Sequence, residues 1–251
     1  MNKVEKYYTE DYCEQNRLGE GCDNRHKVEI INKSFLLENE ICKRAFDTYR
    51  VLDLGAGTGF WTDFILNKFP FTKVVCGDLV PKHNELLKER FANNPNVTVM
   101  PLNALDLPAD TLGKFDVILC GGPFYHCNFS YSQKIVKELE KVSNGNTLVF
   151  IDWLSEGSGV INWSLMMGKP VENIGIVDNM FHYKSTHAID ELFKKYGFVQ
   201  GHYAIDGITR FIADEVNKYD EKQLQIYCYN IRKFWHTTAD LSEHSITVLL
   251  L

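Results

Sequence analysis

The chain predicts an α/β fold: a doubly wound sheet of seven strands, mostly parallel, with helices on both faces. Three observations carry that expectation. Short β-branched and aliphatic runs recur at Val51–Leu54, Val74–Asp78, Val97–Met100, Phe115–Cys120 and Thr147–Asp152. Helical patterns separate them, at Phe60–Phe69, Lys82–Phe91 and Ser132–Val142. Strands alternating with helices of this length imply parallel pairing through crossover helices. The first run also breaks into alternating glycines, Gly55, Gly57 and Gly59, just before a helical segment. Ligands on such sheets bind beyond the carboxyl ends of the strands.

Each element has its own warrant. Ahead of the first strand, the stretch from Val28 to Phe46 carries Ile30, Ile31, Phe35, Leu36, Ile41 and Phe46, which predicts a helix packed on the sheet. In Ser132–Val142, Ile135, Val136, Leu139 and Val142 form one apolar face. The turn Asn144-Gly145-Asn146 precedes the fifth strand. From Trp153 to His182 the period lapses, although Trp163 and Met166-Met167 make the segment too apolar for a disordered tail. Two readings stand: an inserted cover over a substrate pocket (residues 153–184), with adaptable aromatic and methionine side chains, or a subdomain with its own small core. Ser185–Tyr196 reads as a helix, Gly197–Tyr203 as a sixth strand and Ile246–Leu250 as a seventh. Between those strands, Asp214–Phe234 predicts a long amphipathic helix with Leu224, Tyr227, Cys228, Ile231, Phe234 and Trp235 on one face.

The glycine turn brings the first chemical signal. Glycines without Cβ atoms let a ligand approach bare backbone, and the helix start beyond them offers unpaired N–H groups. A dinucleotide fingerprint would place a third glycine where this chain has Phe60. Asp53 stands just ahead of the glycines. An acid there suits a ligand's ammonium or hydroxyl groups better than a pyrophosphate, which points away from NAD. Asp78 ends the second strand about twenty residues further on, where a carboxylate can accept both hydroxyl protons of a ribose.

At these residues the sequence resembles the class I S-adenosylmethionine-dependent methyltransferases. Their first motif looks like Asp53-Leu54-Gly55-Ala56-Gly57-Thr58-Gly59, and Asp78, followed by Leu79, matches the acid that holds the cofactor ribose. Leu102-Asn103-Ala104 falls at the adenine-contacting loop, where many relatives carry Gly-Asp-Ala. Cys120-Gly121-Gly122-Pro123-Phe124-Tyr125-His126 is similar to the Gly-Pro-Leu-Tyr-His signature of a bacterial subgroup. Tyr7-Tyr8 and Asn16-Arg17-Leu18 resemble that subgroup's opening segment, which folds over the cofactor in relatives. The resemblance implies a Rossmann-like sheet with an antiparallel C-terminal edge, in a single domain spanning residues 1–251. Residues 1–27 would form a lid. It implies S-adenosyl-L-methionine as cofactor, held by Asp53, Gly55, Ala56, Gly57, Gly59, Asp78, Leu79, Asn103, Ala104, Cys120, Gly121, Tyr8 and Arg17. Arg17 would pair with the methionine carboxylate through its two-pronged guanidinium.

Charge narrows the substrate. The net charge is −6 and the isoelectric point is near 5.8, without a long basic run. A nucleic-acid substrate normally demands a basic face, so a small-molecule acceptor is expected and DNA or RNA is not. No apolar run approaches the ~20 residues that span a bilayer, and Met1–Tyr8 lacks a signal-peptide core. These features predict a cytoplasmic protein without a membrane partner. Seven cysteines are scattered without a Cys-x-x-Cys pair, which reads as free thiols. Cys127 beside His126 lacks a second ligand cluster at metal-binding spacing, so no metal site is expected.

Methyl transfer asks chiefly for alignment of the acceptor with the methyl group. An acceptor with a labile proton also asks for a base. His126 is the candidate base, since its ordinary pKa lies near neutrality, and Tyr125 is the candidate pocket wall. His182, Tyr183, His236 and His244 are weaker candidates. Two other classes share the scaffold: a cyclase or lyase consuming the cofactor without methyl transfer, and a non-catalytic cofactor-binding protein.

Overall fold

The computed structural model describes residues 24–44, 49–155, 183–205, 213–234 and 244–251. Helix α1 (Asn24–Cys42) leads into β1 (Arg50–Leu54), then α2 (Phe60–Lys68), β2 (Lys73–Gly77), α3 (Pro81–Arg90) and β3 (Val97–Val99). A short α4 (Ala109–Leu112) precedes β4 (Phe115–Cys120), a 3-10 turn (Gly122–Tyr125), α5 (Phe129–Val142) and β5 (Ser143–Ser155). Then come β6 (Tyr183–Lys184), α6 (Thr186–Phe193), β7 (Phe198–Ala204), α7 (Ala213–Val216), α8 (Glu221–Arg232) and β8 (His244–Leu250).

The strands lie in the order β3-β2-β1-β4-β5-β8-β7, with the two-residue β6 added beside β5. From β3 to β5 every pairing is parallel. β8 runs antiparallel to both β5 and β7, so the C-terminal strands close one side of the sheet with β7 outermost. The seven expected strands are present in the expected sense.

Alternation along each strand sorts the core into two layers. Leu52, Leu54, Ile118, Cys120, Val149 and Ile151 face Ile135, Val136 and Leu139 of α5 and Ile189, Leu192 and Phe193 of α6. Val51, Val74, Cys76, Val117, Leu119 and Phe150 face Leu36, Leu37 and Ile41 of α1, Ile65 of α2 and Leu87 of α3. Asp53 shares the parity of Val51, and Asp152 that of Phe150. Both carboxylates therefore belong to the α1–α2 side.

Several boundaries differ from the sequence expectation. Helix α5 starts at Phe129, ahead of the expected Ser132, and β5 starts at Ser143, so that it takes in the expected turn Asn144-Gly145-Asn146. The first helix starts earlier, at Asn24, because the Asn24 side chain donates to Val216 O and Tyr219 O and anchors α1 on the C-terminal helices. It also ends earlier, at Cys42, short of the expected Phe46. The expected long helix over Asp214–Phe234 is two helices. Asp220 caps α8 by accepting from Gln223 N, and the Gln223 side chain accepts in return from Asp220 N, which starts a new helix there. Leu224 and Cys228 are buried on α8, whereas Phe234 lies beyond it and is 60% exposed, so it does not extend the apolar face. Trp153–Ser155 continue β5 instead of opening a cover, and Tyr183–Lys184 return to pair with it. The remainder of the expected cover, and the expected contacts from Tyr7, Tyr8, Arg17, His182, Trp235 and His236, lie outside the described residues. Among the described residues no helix is long and apolar enough to cross a membrane.

Candidate functional site

The turn after β1 is shaped by three positive-φ glycines, each for a different reason. Gly55 has φ 77° and its absent Cβ would stand 2.7 Å from Pro123 Cδ. Gly59 starts α2 at φ 86°, and a Cβ there would stand 2.7 Å from Phe91 and 2.8 Å from Leu87. Gly57, at φ 55°, faces open space. Two glycines thus fit the turn against neighbouring elements, while the third leaves a bare stretch of backbone exposed for a ligand.

The second strand completes this cradle. Gly77 O accepts from Gly55 N at 2.9 Å and Ala56 N at 3.1 Å. The Asp78 carboxylate reaches back, with Oδ2 accepting from Gly57 N and Oδ1 from Val80 N, both at 2.9 Å. Nδ1 of His83 stands 3.2 Å from Asp78 Oδ2. Asn84 fixes the same backbone: its Oδ1 accepts from Asp78 N and its Nδ2 donates to Asp78 O. Burial works against the Asp78 charge, but the bond and charge of His83 and the N–H groups of Val80 and Gly57 outweigh it. Its pKa is held below the usual carboxylate value. Asp78 is therefore an ionised, pre-aimed acceptor. Leu79 beside it is 55% exposed, a bare apolar surface at the rim.

Asp53 behaves in the opposite way. Burial pushes its pKa up to about 6, although the Thr62 hydroxyl donates to Oδ2 at 2.7 Å and Lys33 supplies positive charge. Asp78 and Asp152 push it further up. Two acids of one site are thus set apart by their surroundings.

At the next loop, Asn103 is exposed, and its side-chain oxygen accepts from Leu105 N at 3.0 Å, closing a local turn next to Ala104. Its amide group holds the loop's shape. Leu102 is buried beneath it, packed where a Cβ on Gly77 would collide with Met100 O and Leu102.

The fourth strand ends at buried Cys120, whose thiol burial holds well above its ordinary pKa. Gly121 leads into the 3-10 turn, which places Tyr125 and His126, both half-buried, at the carboxyl edge of the sheet. Lys184 of β6, itself buried, donates to Phe124 O at 2.6 Å and pins this turn from behind. Phe124 is buried against Phe193, with ring centroids 6.4 Å apart. Across the edge, Lys33 of α1 bonds Asp152 of β5, both side chains being under a tenth exposed.

The structure brings Asp53, Gly55, Ala56, Gly57, Gly59, Asp78, Leu79, Asn103, Ala104, Cys120, Gly121, Tyr125 and His126 to one edge of the sheet. Sequence reasoning missed Lys33, Thr62, His83, Asn84, Asp152 and Lys184. Asp152 had a readable signal, since in the sequence it ends the aliphatic run Thr147–Asp152 as Asp78 ends Val74–Asp78. Lys33 and Lys184 had none. Among the described residues, no group of three or more His, Cys, Asp or Glu side chains is placed to hold a metal.

Known proteins share part of this sequence and its fold. Residues 51–145, from β1 to the turn within β5, match the family described as a methyltransferase domain. A 109-residue segment is 30% identical to an uncharacterized protein of Rickettsia prowazekii, covering 43% of each chain. Another, 26% identical, matches a malonyl-[acyl-carrier protein] O-methyltransferase of a Paenibacillus species, over 40% of this chain and 37% of that one. The chain thus matches less than half the length of these curated relatives. Among solved structures, a candidate sarcosine dimethylglycine methyltransferase from Galdieria sulphuraria shares the fold over 99% of this chain and 97% of its own, with TM-score 0.60 and 14% identity. A geranyl diphosphate C-methyltransferase from Streptomyces coelicolor, solved with S-adenosyl-L-homocysteine, aligns over 82% of this chain and 74% of its own, with TM-score 0.55 and 10% identity. The fold is the Rossmann-like sheet of these methyltransferases.

Proposed function

We propose that this chain binds S-adenosyl-L-methionine at the carboxyl edge of β1, β2 and β4 and transfers its methyl group to a small organic acceptor. The observation that carries the reading is the pairing of open backbone at Gly57 with the ionised Asp78 that accepts from it. Beyond its bonds to Gly57, His83 and Val80, Asp78 retains one lone pair, on Oδ1, for a ribose hydroxyl. Leu79 offers an apolar face for an adenine, with Asn103 and Ala104 at its edge. Asp53, Gly55, Cys120 and Gly121 border the place for the methionine end, and Tyr8 and Arg17 would close over it.

Bound there, the cofactor supplies an activated methyl group on a sulfonium centre. The protein's part is then placement and proton handling. The turn pinned by Lys184 presents Tyr125 as a wall for the acceptor. His126 takes the proton of a hydroxyl or amine acceptor at a ring nitrogen as the acceptor attacks. The negative net charge favours a small acceptor over nucleic acid, and the same balance fits a cytoplasmic enzyme.

Product analysis tests the reading. Incubation with S-adenosyl-L-methionine and a panel of hydroxyl, amine and thiol acceptors is expected to release S-adenosyl-L-homocysteine. Release of methylthioadenosine instead would mean a cyclase or lyase. His126→Ala is expected to lower turnover by about a hundredfold, within the usual range for a proton-transfer residue, while cofactor affinity changes little. Unchanged turnover would remove His126 from the mechanism.

A further inference from the structure

At the carboxyl edge of β4 and β5, one lysine and two carboxylates are buried together. Lys33 Nζ donates to Asp152 Oδ2, and the two side chains are 6% and 9% exposed. The same ammonium lies over the face of Trp61, 4.4 Å from the ring centroid. The pair packs against bare backbone at Gly121, where a Cβ would come within 3.5 Å of Asp152 Oδ2 and 4.0 Å of Lys33 Nζ. Asp53 shares this field, since the charges of Lys33 and Asp152 both act on its carboxyl group.

A buried ion pair is weak evidence for stability, because an apolar replacement often does as well, and removing one partner strands a charge. Position gives this pair another meaning. It stands beside Gly121, where the proposed cofactor would carry its sulfonium. The Trp61 face with its flanking carboxylate is the seat of the Lys33 ammonium, so the balance of Lys33 against Asp152 is held in place next to that position. With all three groups ionised, Lys33, Asp53 and Asp152 leave one net negative charge.

Resting on the cofactor reading above, we propose that Lys33, Asp152 and Trp61 form a charge-sensing element that sets the site's preference for the sulfonium cofactor over its thioether product. These two ligands differ by one methyl group and one positive charge. The carboxylate of Asp152 draws the charged ligand in, and the ammonium of Lys33 offsets part of that attraction. The thioether, once formed, feels neither. The element therefore favours exchange of product for fresh cofactor.

The two partners must then act with opposite sign, which a purely structural ion pair would not do. The test is calorimetric titration of the full chain with S-adenosyl-L-methionine and with S-adenosyl-L-homocysteine, in mildly alkaline buffer. The readout is the ratio of product Kd to cofactor Kd. Asp152→Asn is expected to lower that ratio by about tenfold, a modest effect for one nearby unit charge in a partly solvated site. Lys33→Met is expected to raise it by about the same factor. The double variant, which restores the net charge, is expected to return the ratio to the wild-type value. Should Lys33→Met fail to fold, Lys33→Gln, which keeps a hydrogen bond to Asp152, takes its place. The ratio compares two ligands on the same folded molecules, so lost stability does not move it. A ratio unmoved in both single variants, or moved in the same direction by both, overturns the proposal while leaving the cofactor reading intact. Failure of the wild type to bind either ligand overturns both.

Discussion

The two ends of this site are built by different means. At the β1–β2 end, the cradle is backbone geometry held by residues close in sequence. Gly55 and Gly57 are held by Gly77 O and Asp78, and Gly59 packs against Leu87 and Phe91, all about one crossover helix away along the chain. At the β4–β5 end, the geometry rests on side chains from distant segments. Lys33 reaches Asp152 across 119 positions, and Lys184 reaches Phe124 across 60. The first end is a fixed fitting for a constant ligand part, and the second is an adjustable one. A scaffold that serves many acceptors would keep the first and vary the second.

The largest test of that contrast is electrostatic. Asp53 has its pKa raised from 3.8 to about 6 by burial. Between those values the folded protein holds the proton more tightly than the unfolded chain does. The favourable contribution is therefore complete below about pH 4 and is lost as pH rises through 6. Asn at this position has no proton to lose. Asp53→Asn is expected to be about 3 kcal/mol more stable than wild type at neutral pH, with the gap closing toward pH 4. Urea unfolding across that range checks it, and a gap independent of pH would mean that Asp53 is not held in a desolvated place.

Gly59→Ala probes the fixed end sterically. It adds a Cβ 2.7 Å from Phe91 at a φ of 86°. A loss of about 2–3 kcal/mol is expected from strain and overpacking together. Denaturant midpoints that match wild type would show that the glycine fitting is looser than its contacts indicate.

Lys184→Met probes the adjustable end. It leaves Phe124 O, buried behind the 3-10 turn, without its donor, at a cost of about 1–2 kcal/mol. Turnover is expected to fall with that turn's order, while affinity for S-adenosyl-L-homocysteine holds. Equal loss of affinity would join the two ends into one unit and break the contrast.

The same contrast explains what the sequence could tell. Asp53, the three glycines and Asp78 were legible because the turn demands particular residue types at fixed spacing. The parallel pairing of the first five strands followed from the strand–helix alternation, whereas their spatial order came only with the structure. Lys33 was hidden because it sits within a helix of imperfect period, and nothing local distinguishes a lysine that bends inward from one in solvent. Its partner is fixed only when α1 docks on the sheet. Asp220 shows a nearer miss: an acid with Gln223 three residues on is a readable helix start, yet the apolar spacing around it ran on as if through one helix. Asn103 was legible as a loop residue, but its bond to Leu105 N depends on how the loop closes.

The most direct measurement is calorimetric titration of the wild type and Asp78→Ala with S-adenosyl-L-homocysteine, with NAD as the control ligand. The cradle predicts micromolar binding to the wild type, strongly weakened in Asp78→Ala, and no binding of NAD. Wild-type protein that ignores S-adenosyl-L-homocysteine, or binds it equally well without the Asp78 carboxylate, would contradict the account at its centre.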